Sequence, residues 1–347
     1  MRKLLIFFLT VFIFYGSRGI KLQAETEEVA ISMSASAAIL MDKDSGRILY
    51  QKNINVRFLT ASISKILTAI VAIENGDLNE YYQVDEETSR QEGSSLYLEL
   101  GDKVKLIDLL YGLMLRSGND AAVLIAKNVF KDYDYFIFMM NETAKKIGMT
   151  NSTFSNPSGL DEENANFSTC HDMALLMAYA LDNNLFRKIA GTKTYRIITG
   201  NGTIIDCYNK HHLLHSLDYV TAGKTGYTTS AKRTLVTSAR KDDMELIAVT
   251  MNSNNDDFIV HKQLFEYGFS NYKMFLVLKR QIINVNDSFY KATPVILEDI
   301  KYPVTENEKV ACSIKLLKKP GSKLIIGQAL IYVDGKVVKR VNIYRYY

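Results

Sequence analysis

The spacing of apolar residues changes several times along this chain, and the order of those changes restricts the fold. Residues 37–42 and 47–50 alternate in the manner of short strands around a Lys-Asp-Ser-Gly turn, which predicts a β-hairpin. Helical spacing begins at Ile63 and continues to an Asn-Gly stop ending at Gly76. Further helical segments occupy much of residues 106–148, so a cluster of helices follows the hairpin.

Strand patterns then return and persist to the C-terminus. Residues 233–240 and 244–252 predict an antiparallel pair, and one more helix closes this part of the chain. After about residue 275 the runs are short and β-rich, and Asp334-Gly335 is a strong hairpin turn. The sequence therefore predicts an α+β fold, a helical cluster on an antiparallel sheet at residues 25–275, followed by a small all-β domain at 276–347.

The N-terminus predicts the compartment. Arg2 and Lys3 precede an apolar run at residues 4–15, and a Leu-Gln-Ala triplet ends at Ala24, so residues 1–24 are expected to be a secretory signal peptide. The alternative is an uncleaved membrane anchor, but the apolar run is shorter than the roughly 20 residues that a spanning helix needs. The expected location is extracytoplasmic: secreted, or associated with the cell wall or membrane surface.

Composition excludes several classes of protein. Hydrophobic residues make up 47% of the chain and charged residues 23%, which is typical of globular domains. The net charge of +4 comes without a dense run of Lys and Arg, so no nucleic acid partner is expected. Cys170, Cys207 and Cys312 have unrelated spacings and indicate neither a disulfide framework nor a cysteine metal site, although one pair stays open.

Ser62 and Lys65 stand one helical turn apart where the first helix is expected to begin. Serine is a weak nucleophile unless a base takes its proton, and a lysine one turn along can point its amine at the hydroxyl. Lys65 can be that base only if its pKa falls well below about 10.4, which burial and a second cation would achieve. The same spacing at Ser238–Lys241 falls on a predicted strand, and Ser270–Lys273 follows a helix end, so both are set aside.

Two further triplets supply the second cation and the proton-relaying hydroxyl that the Ser62–Lys65 pair lacks. Ser117 and Asn119 flank a glycine in the break between two predicted helices, where the hydroxyl could relay a proton. Lys224 and Thr225 precede Gly226 at the expected start of a strand, and offer a cation, a hydroxyl and a residue small enough for substrate to approach the backbone. Each triplet alone is more often a simple turn. Their order, on helix, corner and strand, predicts a single site.

Together these motifs resemble those of the low-molecular-mass penicillin-binding proteins, which are serine-type D-alanyl-D-alanine carboxypeptidases, in the branch with a C-terminal β domain. The similarity covers nearly all of the chain beyond the signal peptide and is carried by AAILMDKDSGRILYQKN, TASISKILTAIVAIENG, LLYGLMLRSGNDAAVLIA, GMTNSTFSNPSGLD, STCHDMALLMAYAL and AGKTGYT. Such motifs are specific in combination. The resemblance implies a penicillin-binding/β-lactamase-like transpeptidase fold and a role in cell wall remodelling.

By that resemblance, Ser62 is the acylated nucleophile, Lys65 is its base, and Ser117 carries the proton to the leaving D-alanine. The substrate would be a peptidoglycan stem peptide that loses its terminal D-alanine in a two-step acyl transfer. β-Lactam antibiotics would be covalent inhibitors. Neither a metal nor an organic cofactor is expected, because backbone donors can hold the oxyanion that develops.

The resemblance assigns substrate binding to a second set of residues. Asn119 would bind the peptide backbone of the substrate, and Lys224 and Thr225 would hold its terminal carboxylate, beside Gly226. The backbone N–H of Tyr227, with that of the nucleophile, would form the oxyanion hole.

The sequence departs from the family pattern at three places near these motifs. Thr60 stands where a proline is common, and Ser158 and Asn166 stand where histidines are common. No catalytic atom is removed, but the shape of the substrate cleft is open. The last residues, VNIYRYY, also lack the amphipathic tail helix that tethers many relatives, so no C-terminal membrane anchor is expected.

Three other interpretations of these residues and motifs are possible. Histidines at 211, 212 and 215 include an i, i+4 pair that can bind zinc, but no adjacent glutamate base is present. A class A β-lactamase would share the Ser-x-x-Lys and Lys-Thr-Gly motifs, but Gly118 replaces its usual aspartate and residues 162–166 do not match its deacylating glutamate motif. A wall-binding protein without turnover would not need Ser62 and Lys65 intact.

Overall fold

The computed structural model describes residues 31–161, 165–285, 292–318 and 321–346. Its contacts divide the chain into a first unit, Ala30–Phe269, and a second unit that includes Ser270–Tyr347. The expected signal peptide at residues 1–24 lies outside the described residues. The expected domain boundary at residue 275 stays a prediction.

Among the described residues, the first unit contains one main antiparallel sheet and three separate strand pairs. Its strands in chain order are β1 (Ala37–Asp42), β2 (Ile48–Lys52), β3 (Phe58–Leu59), β4 (Tyr81–Gln83), β5 (Lys103–Lys105), β6 (Phe167–Ser168), β7 (Thr194–Ile198), β8 (Ile204–Tyr208), β9 (Val220–Thr228), β10 (Lys232–Lys241) and β11 (Met244–Ser253). The main sheet has the order β2-β1-β11-β10-β9, and β3–β6, β4–β5 and β7–β8 form separate pairs. The hairpin and the later antiparallel pair predicted from the sequence thus meet in one sheet, because β1 pairs with β11.

Most of the helices lie between the hairpin and β9, and the last one follows β11. They are α1 (Lys65–Asn75), α2 (Glu86–Ser89), α3 (Leu106–Tyr111), α4 (Asn119–Val129), α5 (Tyr133–Ile147), α6 (Cys170–Leu181), α7 (Asn184–Gly191), α8 (His212–Ser216) and α9 (Asp257–Asn271). Side chains cap several of them: Asp132, Thr169 and Asn183 accept hydrogen bonds from the first turns of α5, α6 and α7. A π-helical turn, Gly112–Arg116, continues α3 up to the break before α4.

Helix α1 is the centre of the helical cluster. Every residue from 65 to 72 is buried, and α1 packs against α4, α5, α6 and α7. A helix that is apolar on nearly all sides can be stable only when it is surrounded in this way. The Asn-Gly stop predicted from the sequence ends α1 at Gly76.

The sheet lies between two helical layers. Ile39 and Met41 on β1 belong to the core shared with α1 and α6, whereas their neighbour Leu40 faces the other way. On that side Gly268 of α9 lies so close that an added Cβ would be 2.8 Å from Leu40 Cδ2. Both faces of β1 are therefore covered, which is why its six residues are all buried and not alternating.

The second unit is all β in the residues that are described. Its strands are β12 (Lys273–Leu278), β13 (Gln281–Ile282), β14 (Thr293–Ile296), β15 (Ile300–Val304), β16 (Val310–Leu316), β17 (Ile325–Val333) and β18 (Lys336–Tyr346). Five form a sheet in the order β13-β14-β18-β17-β16, and β12 pairs with β15. Asp334 and Gly335 join β17 to β18 with φ values of 47° and 76°, the left-handed pair that a two-residue hairpin requires. The predicted fold class is confirmed.

Two further expectations concern membranes and thiols. Within the part of the chain that the structure describes, no helix has both the length and the apolar character needed to cross a membrane. Cys170, Cys207 and Cys312 are all free. Burial raises the pKa of Cys170, and that of Cys207 to about 11, so neither thiol is a ready nucleophile.

Two imidazoles are buried beneath β9 and β10. Thr237 Oγ1 on β10 lies 2.8 Å from His211 Nε2 and 2.7 Å from His261 Nδ1, and His261 Nε2 lies 3.0 Å from Thr250 Oγ1. Burial lowers the pKa of His211 to about 3, and the charge of Lys224 adds to this effect. Burial also lowers the pKa of His261 well below its usual value, with His211 as the second cause.

We expect these histidines to make the fold sensitive to mild acid. Their folded-state pKa values lie below the unfolded value of about 6.5, so the unfolded chain binds more protons as the pH falls through 6.5. Each histidine should then remove about 1.4 kcal/mol of unfolding free energy per pH unit. Urea unfolding between pH 7.5 and 5 measures the slope. His261→Gln should have a smaller slope and exposed His212→Gln an unchanged one; equal slopes in all three proteins would contradict the expectation.

Candidate active site

Ser62 lies in a 3₁₀ turn, Ala61–Ser64, that leads directly into α1. The sequence placed Ser62 at the start of the α-helix itself, and this detail was wrong because α1 begins at Lys65. Ala61 has a φ of 46°, an unusual left-handed conformation for a residue with a Cβ. Ser62 therefore sits on a sharp corner whose geometry the surrounding contacts must maintain.

Three oxygen atoms surround the amine of Lys65. Its Nζ lies 3.0 Å from Ser62 Oγ and 2.7 Å from Asn119 Oδ1, and it also contacts the backbone carbonyl of Ser158. The side chain of Lys65 is 0% exposed. No carboxylate is among these three neighbours, so the amine is held by neutral groups.

A second pair, Ser117 and Lys224, forms the opposite part of the site. Ser117 follows the π-helical turn with a φ of 64°, and its Oγ lies 3.0 Å from Lys224 Nζ. The same amine donates to the carbonyl of Thr225 at 2.7 Å. Lys224 lies in the middle of β9 and not at its start, as the sequence had suggested, because β9 already begins at Val220.

Asn119 fixes a loop as well as the lysine. Its Nδ2 donates to the carbonyl of Glu92 at 2.7 Å, and its backbone N–H donates to the carbonyl of Ser94, also at 2.7 Å. The next residue, Asp120, is buried and accepts from Ser95 Oγ at 2.6 Å, as well as from two backbone N–H groups of the same loop. The loop that borders Asn119 is therefore rigidly attached to α4. Asp120 was not identified from the sequence.

Burial and the charges of other lysines lower the pKa of both Lys65 and Lys224. Burial is the largest cause for Lys65, whose pKa falls well below its usual value, followed by the charges of Lys224 and Lys210. Burial, then Lys210, lowers the pKa of Lys224 to about 7. Lys224 matches the second cation that the sequence predicted, whereas Lys210 could not be identified from the sequence.

Lys210 reaches the site from the segment that precedes α8. Its backbone N–H donates to the carbonyl of Leu115 at 3.1 Å, and its Nζ donates to Ser94 Oγ at 2.9 Å. Burial, then the charge of Arg116, lowers its own pKa. The sequence carried no signal for this role, because a single lysine beside two histidines is unremarkable until the fold brings it to Ser94.

Two glycines let the chain close around the turn that carries Ser62. A Cβ on Gly159 would lie 2.0 Å from the carbonyl oxygen of Ala61, and its φ is +81°. A Cβ on Gly226 would lie 2.3 Å from Thr234 Oγ1 and 2.9 Å from the backbone nitrogen of Ser62. The expectation for Gly226 was room for substrate; the close contacts found are with the protein's own backbone and Thr234.

The remaining candidates contribute less. The side chain of Tyr227 is 65% exposed, so only its backbone N–H could serve the role that the sequence suggested. Among residues whose placement is described, no group of three or more His, Cys, Asp and Glu side chains is arranged to hold a metal ion. His212 and His215 lie on the exposed side of α8, while His211 belongs to the buried network under β9.

Comparison with known proteins identifies similar chains. A family model described as D-alanyl-D-alanine carboxypeptidase, peptidase family S11, matches residues 23–255. D-alanyl-D-alanine carboxypeptidase DacF of Bacillus subtilis is 31% identical over 258 residues, which cover 72% of this chain and 66% of the relative. DacA of Haemophilus influenzae is 28% identical over 336 residues, covering 90% of this chain and 84% of the relative. The chain thus matches just under two thirds of the Bacillus protein and most of the Haemophilus one.

Solved structures give the same result. Penicillin binding protein 5 from Haemophilus influenzae superposes with a TM-score of 0.79 at 26% identity, covering 91% of this chain and 97% of that one. A D-alanyl-D-alanine carboxypeptidase from Mycobacterium tuberculosis superposes with a TM-score of 0.66 at 30% identity, covering 69% and 92%. The first of these similarities extends over both units of the chain.

The close approach at Gly159 predicts a large cost for a single methyl group. Gly159→Ala combines a left-handed backbone with a collision against the turn that carries Ser62, and we expect it to lower the free energy of unfolding by about 3 kcal/mol or more. Gly148→Ala is the matched control, because Gly148 has a φ of +96° but nothing within 4 Å of its Cβ position. Its expected loss is about 1 kcal/mol. Urea unfolding compares the two variants, and equal losses would show that the collision is relieved without cost.

Lys210→Met tests the electrostatic coupling of the three lysines. Removal of this charge should raise the pKa of Lys224 above about 7 and should also raise the pKa of Lys65. NMR titration of ¹³Cε-labelled lysine measures both values directly. The exposed Lys193→Met is the control and should leave them unchanged. A Lys224 titration that does not move in Lys210→Met would assign its low pKa to burial alone.

Proposed function

Since the chain belongs to the D-alanyl-D-alanine carboxypeptidase family of serine peptidases, we propose that it removes the terminal D-alanine from peptidoglycan stem pentapeptides through an acyl-enzyme on Ser62. The observation that carries the proposal is the position of Lys65, whose buried amine lies between the Ser62 hydroxyl and two carbonyl oxygens. The location follows from the family, which acts at the cell wall outside the cytoplasm.

The two carbonyls orient Lys65 as a base. A neutral amine has two N–H donors and one lone pair, and carbonyl oxygens can only accept. When Asn119 Oδ1 and the Ser158 carbonyl take both donors, the lone pair is left to face Ser62 Oγ, 3.0 Å away. In this arrangement the amine accepts the serine proton and does not donate to the hydroxyl.

The lowered pKa of Lys65 makes the neutral amine available. Ammonium cannot accept a proton, so the reaction needs the neutral amine, and burial together with the charges of Lys224 and Lys210 favours it. Ser62 Oγ then bonds to the carbonyl carbon between the two D-alanines while its proton passes to Lys65 Nζ. The resulting oxyanion would be held by the N–H groups of Ser62 and Tyr227.

Ser117 and Lys224 would complete the first step. The C–N bond breaks only if the departing nitrogen is protonated, and the Ser117 hydroxyl can pass on a proton that Lys65 gained. Lys224, at 3.0 Å from Ser117 Oγ, keeps that hydroxyl oriented. Water then attacks the Ser62 ester, and the shortened peptide leaves.

Substrate binding is proposed for the outer part of the same site. Strand β9 is at one end of the main sheet, so a peptide could align with its backbone near Thr225 and Tyr227. The terminal carboxylate of the substrate would be drawn to the positive charge of Lys224 and the hydroxyl of Thr225, and Asn119 would bind its backbone. β-Lactams, which carry a comparable carboxylate and a reactive amide, would acylate Ser62 and leave slowly.

The β-lactamase alternative differs in the second step. A lactamase needs a base that activates water against the acyl-enzyme, usually a glutamate. The sequence at residues 162–166 does not match the motif of that glutamate, and residues 162–164 lie outside those that the structure describes. The alternative therefore becomes an outcome of the experiment below.

The first experiment is covalent labelling with a fluorescent penicillin. We expect lasting label on the wild type and on Ser270→Ala, which alters an exposed serine with the same Ser-x-x-Lys spacing, but none on Ser62→Ala. Release of D-alanine from a stem pentapeptide, measured in parallel, should follow the same pattern. A label that forms and clears within seconds would instead indicate a lactamase, and wild-type protein that takes up no label would overturn the proposal.

A further inference from the structure

Thr60, Ser158 and Asn166, the three departures from the family pattern, lie together behind the active site. All three are buried, with 0%, 4% and 2% exposure. Thr60 is the last residue before the turn that carries Ser62, and Ser158 supplies the carbonyl that contacts Lys65. Positions that looked unrelated in the sequence are therefore parts of one structure.

Asn166 connects the two segments. Its backbone carbonyl accepts from the N–H of Thr60 at 3.1 Å and so extends the β3–β6 pairing to the edge of the nucleophile's turn. Its side-chain Oδ1 accepts from the N–H groups of Ser155 at 2.7 Å and Asn156 at 3.1 Å. Its Nδ2 donates to the carbonyl of Asn156 at 2.9 Å.

Asn156 continues the connection to the lysine. Its Oδ1 accepts from the N–H groups of Ser158 at 3.1 Å and Gly159 at 2.6 Å, and its Nδ2 donates to the carbonyl of Leu160 at 2.9 Å. This turn presents the Ser158 carbonyl to Lys65. Asn156 and Asn166 together thus connect Thr60 to the carbonyl of Ser158.

We propose that Asn166 is a positioning residue for acylation: through Asn156 it holds the Ser158 carbonyl against the amine of Lys65, and through Thr60 it holds the turn of Ser62. The inference rests on the proposed function, because it concerns the same acyl transfer. Asn166 itself touches neither the nucleophile nor the base.

The amide group is suited to this position for a chemical reason. Asn166 must accept from two N–H groups and donate to one carbonyl of the same segment, and a side-chain amide does both while an ionised carboxylate only accepts. A shift of the segment by about 1 Å would withdraw the second acceptor of Lys65, and errors of that size can cost about 100-fold in rate. With one carbonyl lost, the lone pair of the neutral amine is no longer confined to the direction of Ser62.

Asn166→Ala should therefore lower the limiting rate of acylation by a fluorescent penicillin between about 10-fold and 100-fold, with reversible binding before acylation changed less than about 2-fold. The pH dependence adds a second readout. A carbonyl bonds an ammonium more strongly than an amine, so its displacement should lower the pKa of Lys65 and move the acidic limb of the acylation rate to lower pH.

Asn141→Ala is the matched control. Asn141 also supports this segment through both atoms of its amide, since its Nδ2 donates to the carbonyl of Phe154 at 2.7 Å and its Oδ1 accepts from the N–H of Phe154 at 3.0 Å. It has no contact with Thr60 or Asn156 among its bonds to this segment. We expect Asn141→Ala to lower the thermal midpoint about as much as Asn166→Ala does. Its acylation rate should stay within about 3-fold of wild type, and the acidic limb of that rate should not shift.

Asn166→Asp, which keeps the shape but loses the donor, replaces Asn166→Ala if the latter does not fold, and its limiting rate should fall by at least about 10-fold. The inference is overturned if folded Asn166 variants acylate at the wild-type rate, or if rate losses in the Asn166 and Asn141 variants simply follow their thermal midpoints. Rapid labelling of the wild type keeps these results separate from a failure of the proposed function, in which the wild type itself would not react.

Discussion

The amine of Lys65, buried with three neutral oxygen atoms as its hydrogen-bond partners, is the constraint on which the rest of the site depends. An amine in this environment loses its hydration, and the nearby charges of Lys224 and Lys210 add repulsion. Such an amine persists only where the surrounding structure determines its position and supplies neutral acceptors. The first unit provides both, because α1 is enclosed by other helices and Asn119 and Ser158 bring their oxygens from separate segments.

Helix α1 is consequently both the centre of the core and the support of the Lys65 side chain. Its first turn carries Lys65 while its remaining buried residues hold the helical cluster together. Movement of the Lys65 backbone would require movement of α1 against its neighbours, and close-packed interiors resist such displacement. The geometry between Ser62 and Lys65 is thus fixed by packing far from the site as well as by the local hydrogen bonds.

Short-range patterns predicted much of this arrangement. The hairpin, the central helix and the candidate residues Ser62, Lys65 and Lys224 were recognisable because each belongs to a pattern that spans a few consecutive positions. Asp120 and Lys210 were not recognisable, because their partners are distant in sequence and only the fold brings them together. Lys210, for example, contacts Ser94, which lies 116 positions earlier in the chain. Asn166 was noticed only as a departure from a pattern.

The glycines on either side of Ser62 limit how this site can change over generations. Gly159 and Gly226 leave no space for even one methyl group next to the Ser62 turn, so both positions are closed to substitution without rebuilding the backbone. New preferences among peptides or antibiotics must therefore arise farther out, at exposed positions such as Tyr227. Few substitutions could therefore confer resistance to an inhibitor that contacts only the Ser62 turn.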